Sequence, residues 1–205
     1  MKKYVTEIIG TFFLVFVIGL TGNPIAIGCA LMAMVYMGGH ISGAHYNPAV
    51  TLAILMRKKI DAKDAFIYMF MQIVGATLGA LACHYMYGKT FAPMPDTSIN
   101  VLKPLFIEAA FTFALASVVL NVATHSKTAG NSYYGLAIGF TVLAAAFAGG
   151  SISGGAFNPA VGIGPSLVHM IFAKGSMKYL WIYLAGPFGG AAVAAIWFKI
   201  ANPEE

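Results

Sequence analysis

Apolar residues in this chain come in long blocks separated by short polar breaks. Six blocks approach the ~20 residues that cross a bilayer as a helix. They are Tyr4 to Leu20, Pro24 to Gly38, Ala65 to Met86, Leu102 to Val122, Ser132 to Gly149 and Met177 to Ile200. Two further apolar stretches, Asn47 to Met56 and Asn158 to Ala173, each follow a glycine-rich turn and are short for a span. They read as re-entrant half-helices, because irregular backbone at membrane depth survives only where protein buries it or a wet cavity receives it. The fold class is therefore an all-α membrane protein with six transmembrane helices and two re-entrant half-helices.

Composition strengthens that picture. Of 205 residues, 59% are apolar and only 9% charged, whereas soluble domains are roughly a quarter charged. One membrane domain over residues 1–205 is expected, with halves 1–88 and 101–201 joined by a polar loop, 89–100, that holds Pro93 and Pro95. Lys2 and Lys3 before an apolar block could imitate a secretory signal, but Glu7 interrupts the block and no small-residue cleavage site follows. With both termini cytoplasmic, the inner side collects Lys2, Lys3, Arg57, Lys58, Lys59, Lys63, Lys127 and Lys199. The outer side keeps Lys89, Lys103, Lys174 and Lys178. This bias fits a multi-pass protein of the plasma membrane in that orientation. The net charge of +5 is thus a topology signal, not a nucleic-acid footprint, since the basic residues are dispersed. The lipid bilayer is the expected partner. Cys29 and Cys83 lie on different spans and read as packing residues.

An internal repeat decides how the spans are arranged. Residues 26–50 read AIGCALMAMVYMGGHISGAHYNPAV, and residues 137–161 read AIGFTVLAAAFAGGSISGGAFNPAV. At this offset of 111 residues, 13 of 25 positions are identical. Glu7 in the first span has a counterpart, Glu108, in the fourth, and the Gly75 region resembles the Gly189 region. Three spans per half is an odd number, so the second half enters from the opposite side and the repeat is inverted. The two half-helices then meet near the midplane by their amino termini.

Asn is a favoured helix cap and Pro a favoured first helical residue, so Asn47-Pro48-Ala49 and Asn158-Pro159-Ala160 each start a helix inside the membrane. The preceding turns, Gly43, Ala44, His45 and Tyr46 in one half and Gly154, Gly155, Ala156 and Phe157 in the other, offer ladders of carbonyls to replace lost hydration. Each half-helix aims the positive end of its dipole, about half an elementary charge, at the centre. Cations and protons are opposed there, while neutral polar molecules are not. The Asn47 and Asn158 amides add donors for a solute oxygen.

The paired segments SGAHYNPAVTLA and SGGAFNPAVGIGP, with Glu7, Glu108 and the Gly186-Pro187-Phe188 run, closely resemble the aquaporin and glycerol-facilitator family, the major intrinsic proteins. The resemblance spans essentially the whole chain. It implies an aquaporin-like fold of tilted helices around one pore per subunit, usually in a homotetramer. It also implies that Glu7 and Glu108 hold the re-entrant loops. Counted from the Asn residues, the family's selectivity filter falls on Ile27, Ala146, Gly155 and Val161. Most members carry Arg where Val161 stands, and the only arginine here is Arg57. The family's glycerol channels typically carry Asp at the position of Gly162. An Arg or the half-helix dipoles form the barrier in such pores, so here the dipoles must suffice. The expected constriction is wide and apolar, admitting water and small neutral solutes such as glycerol, urea or ammonia; strict water selectivity is the alternative.

The remaining chemistry is sparse. His40, His45 and His169 are too scattered for a metal site, and His84 and His125 fall near loops. His45 reads as a loop-orienting residue, with a pH gate as the alternative. Ser42 and Ser153 read as turn residues. Gly75, Gly79, Gly186, Gly189 and Gly190 read as close helix crossings. A secondary transporter would need a coupling site, and no intramembrane acid remains beyond the two Glu. No nucleophile, base and orienting group fall together, so no enzyme is expected, and neither a cofactor nor a metal is called for.

Overall fold

A computed structural model describes all 205 residues and is helical throughout, with no strand. The elements are α1 (Lys2–Thr21), α2 (Pro24–Ser42), α3 (Pro48–Met56), α4 (Ala62–Tyr87), α5 (Leu102–Thr124), α6 (Tyr134–Ser153), α7 (Pro159–Ala173) and α8 (Leu180–Ala201). One turn of 3-10 helix, Ser126–Thr128, lies between α5 and α6. Six helices are long and apolar enough to span a membrane, and α3 and α7 are the two short ones.

The ends follow local chemistry. Asn23 caps α2 by accepting from the Ile25 amide, with Pro24 at the first helical position. Asp61 caps α4 through the Asp64 amide. Sequence pattern stops the second span at Gly38, yet α2 runs on to Ser42. The glycines do not break it, because Gly38 leaves the space that the Tyr46 ring enters, and the left-handed Gly43, at φ 85°, is what ends it. In the same way α6 runs to Ser153 and stops at Gly154, φ 87°.

Packing repeats in each half. α1 lies against α4 and α5 against α8, while α2 meets α6 across the halves. Small residues permit these crossings: a Cβ on Gly79 would come 2.7 Å from the Phe12 carbonyl oxygen, and one on Gly28 would come 2.7 Å from the Gly139 oxygen. Gly189 differs from that expectation, because it faces open space and Gly190 makes the crossing against α5. Gly75 packs on the Ile8 backbone as Gly190 does on Ala109, so the third span of each half matches at an offset of 115, not 114. Each half-helix is held by spans from both halves, α3 by α4, α5 and α8, and α7 by α4 and α8. Both termini lie on one face: Lys3 pairs with Asp64 at the start of α4, and Arg57 after α3 pairs with Glu205. Cys83 is buried and Cys29 exposed, both as free thiols.

Candidate functional site

Asn47 and Asn158 meet at the centre of the molecule, each 4% exposed. Each caps its own half-helix: Asn47 Oδ1 accepts from the Ala49 amide at 2.9 Å, and Asn158 Oδ1 from the Ala160 amide at 2.9 Å. Each also reaches across. Asn47 Nδ2 donates to the Phe157 carbonyl at 2.9 Å, and Asn158 Nδ2 to the Tyr46 carbonyl at 2.9 Å. Half of the amide hydrogens expected to face a solute are therefore committed to protein, leaving one on each nitrogen.

The approach loops are held from behind by the two buried carboxyl groups. Glu7 accepts from the Ser42 hydroxyl at 2.7 Å, the His45 amide at 3.1 Å, the Tyr46 amide at 2.7 Å and Gln72 Nε2 at 2.8 Å. Glu108 accepts from the Ser153 hydroxyl at 2.7 Å, the Ala156 amide at 3.0 Å and the Phe157 amide at 2.6 Å. With their amides drawn to this side, the carbonyls of residues 43–45 and 154–156 point elsewhere and receive no protein donor. Only the last rungs, Tyr46 and Phe157, are taken, by the crossed Asn amides. Holding this form requires left-handed backbone at Ala44 (φ 52°), Tyr46 (φ 49°) and Phe157 (φ 48°), which non-glycine residues adopt only when the surroundings dictate it.

Residues absent from the sequence reading complete the support. Tyr68 donates to the Ser42 carbonyl at 2.8 Å and Tyr183 to the Ser153 carbonyl at 2.6 Å, a pair at the 115-residue offset. Ser42 and Ser153 are more than turn residues, since each hydroxyl bridges a carboxyl to a loop amide. Gln72 joins Glu7 to Thr51. A polar residue amid an apolar span was the available signal for Gln72.

A narrow cavity of about 30 Å³ runs past the Asn pair, room for about one or two waters at a time. Fifteen of its 19 lining residues are hydrophobic, and none carries a fixed charge. Ile27, Ala146, Gly155 and Val161 all line it, together with Ala44, His45, Tyr46, Ala156 and Phe157. On the terminal face it shares His45 and Val119 with a vestibule of about 410 Å³, and on the far face Ile18, Gly155 and Val161 with one of about 400 Å³. Around Ile27, Ala146, Gly155 and Val161 the wall is apolar.

Aliphatic wall positions obey the repeat as well. Ile27 and Ile138, Leu31 and Val142, and Val50 and Val161 are related by 111 residues, and Leu14 and Leu115, and Ile18 and Val119, by 101. Residues 1–198 match the Major intrinsic protein family. The chain belongs to that family.

Members of the Major intrinsic protein family are passive channels and not enzymes, and this chain is a transmembrane channel of that kind. It is 36% identical over 213 residues to Aquaporin NIP1-1 of Oryza sativa subsp. japonica, covering 96% of this chain and 72% of that protein. It is 36% identical over 227 residues to Glycerol uptake facilitator protein-like 6 of Lactiplantibacillus plantarum, covering 100% of both. Among solved structures, the aquaglyceroporin from Plasmodium falciparum shares the fold with a TM-score of 0.88 over 98% of this chain and 97% of that one, at 24% identity.

Proposed function

We propose that the channel passes water and small uncharged solutes of the size of ammonia, urea and glycerol, and turns back ions and protons. The observation that carries this reading is the pair of half-helix starts facing each other at Asn47 and Asn158, inside a cavity whose wall has no charged side chain. A cation there meets two positive dipole ends. A neutral solute meets unpartnered carbonyls on one side and aliphatic groups on the other. In this reading Asn47-Pro48-Ala49 and Asn158-Pro159-Ala160 form the central constriction, residues 43–46 and 154–157 the carbonyl ladder, and Glu7 and Glu108 its supports.

Ile27, Ala146, Gly155 and Val161 are the far-face filter, with polarity lower than an arginine would give. Proteoliposome swelling in water, glycerol and urea gradients tests the reading: flux is expected for all three, falling with solute cross-section. Water flux with neither solute would leave strict water selectivity, the second reading, which the volume of about 30 Å³ favours. Val161→Arg is expected to reduce glycerol flux. If glycerol flux and proton leak both stay unchanged, the filter lies elsewhere.

The two halves, 1–88 and 101–201, form one membrane domain joined by residues 89–100. The assembly is a homotetramer in the plasma membrane, with both termini cytoplasmic. Support for the orientation comes from the basic residues gathered on the terminal face, among them Lys3, Arg57, Lys58, Lys59 and Lys63. Crosslinking in lipid is expected to stop at four subunits; a monomer ladder alone would remove the tetramer.

A further inference from the structure

The two sides of the Asn pair are related by the repeat, yet they differ in bulk and in bracing. Moving by 111 residues converts the far-face set Ile27, Ala146, Gly155 and Val161 into Ile138, Val35, Ala44 and Val50. Ile138, Ala44 and Val50 line the same cavity, and Val35 is buried in α2. Ala44 faces Gly155 in this correspondence, and His45 faces Ala156. The terminal-face side thus carries an extra methyl and an imidazole. Two pairs run the other way, Ile18 against Val119 and Leu31 against Val142, by one methylene each. The imidazole outweighs both.

Bracing is equally one-sided. His45 Nδ1 lies 3.1 Å from Thr51 Oγ1, and its ring stands against Tyr68 with centroids 5.2 Å apart. Thr51 donates to the Asn47 carbonyl at 3.0 Å and accepts from Gln72 at 2.9 Å. In the other half the counterpart of Thr51 is Gly162, and that of Gln72, in the register that matches Tyr68 to Tyr183, is Pro187. No side chain there performs the same work; the far loop is met by main chain instead, with Met94 packed on Gly154 and the Asp96 amide donating to the Ile152 carbonyl at 3.0 Å. His45 also stands where the narrow cavity opens into the terminal-face vestibule, lining both. Packed side chains of this kind resist displacement, and pore diameter controls which solutes pass.

We propose that the size limit on conducted solutes is set on the terminal-face side of the Asn pair, by a braced collar of Ala44, His45, Val50 and Ile138. The far-face filter then governs polarity but not size. This rests on the channel reading above.

The test is permeability of glycerol and urea relative to water in proteoliposomes, for the unmodified chain and three variants. Ala44→Gly combined with His45→Ala gives the collar the residues of the far side, and Gly suits the left-handed backbone at position 44. Ile138→Ala widens the collar without touching the loop, so it carries the test if the double variant does not fold. Ile27→Ala widens the far side. Each collar variant is expected to raise the solute-to-water ratio severalfold, and Ile27→Ala to leave it unchanged. A rise with Ile27→Ala alone, an equal rise on both sides, or no rise in any variant overturns the collar. Absence of water flux through the unmodified chain would overturn the channel reading itself, a separate result.

Discussion

The Glu108 carboxyl is the only acceptor for the buried amides of Ala156 and Phe157, and the nearer of two for the Ser153 hydroxyl, which also stands 3.3 Å from the Gly149 carbonyl oxygen. Replacing it with Ala leaves those amides in an apolar interior, at about 1–3 kcal/mol for each. Glu108→Ala is therefore expected to lower the thermal midpoint in detergent and to abolish water flux; a variant with native flux would show that the loop holds its own shape. Glu7 has the same task but is helped by Gln72, whose amide also anchors Thr51. At this scale the sequence was informative wherever the repeat kept a residue. Both Glu, both Asn and the two cap glycines, Gly43 and Gly154, recur between the halves. It was silent on Thr51 and the two tyrosines, and marked Gln72 only as a polar residue in an apolar span, because no repeat of these side chains is visible until Tyr68 and Tyr183 are aligned by what they touch.

At the scale of elements, α3 and α7 are short helices whose starts depend on one residue each. Loss of a cap of this type costs about 1 kcal/mol, but Asn47 and Asn158 also tie the opposing loop. The single Ala variants are expected to destabilise by more than a cap alone, and the double variant by less than their sum. The reason is that each crossed bond positions the carbonyl used by its mate. A double-mutant cycle on thermal unfolding measures this, and strict additivity would mean that the two bonds are independent. Element type and number were legible from block length and glycine-rich turns. Helix ends were less so: the GGHIS run before Gly43 has the composition of a turn, yet it is helical because Tyr46 fills the space that Gly10 and Gly38 leave. That contact joins α1, α2 and the loop before α3, and local pattern holds no trace of it.

For the whole molecule, the terminal face is closed by a clasp. Glu205 accepts from the hydroxyl and amide of Ser126, stands 3.5 Å from His125 Nδ1 and pairs with Arg57 at 2.6 Å, so the end of the chain is tied to the exit of α3. The Ser126 hydrogen bonds, with smaller help from the His125 and Arg57 charges, hold the Glu205 carboxyl down to about 2 from its ordinary 4.5. Because the folded value is depressed, the contribution of the clasp is full above 4.5, declines as pH falls below that, and is gone near 2. Carboxyl chemical shifts of Glu205 followed by NMR are expected to titrate near the lower value; titration near 4.5 would mean an open clasp. The sequence offered no sign of this pairing, which spans 148 residues.

The crossed bonds between Asn47 and Phe157, and between Asn158 and Tyr46, bear on how the chain is made. They join residues 110 and 112 positions apart. When the first half leaves the ribosome, its loop has a cap but no counterpart for the Asn47 amide or the Tyr46 carbonyl, and these stay unmatched until the second half arrives. A gene cut within codons 89–100 should give two silent fragments that regain water flux only when synthesised together, each supplying the template that finishes the other.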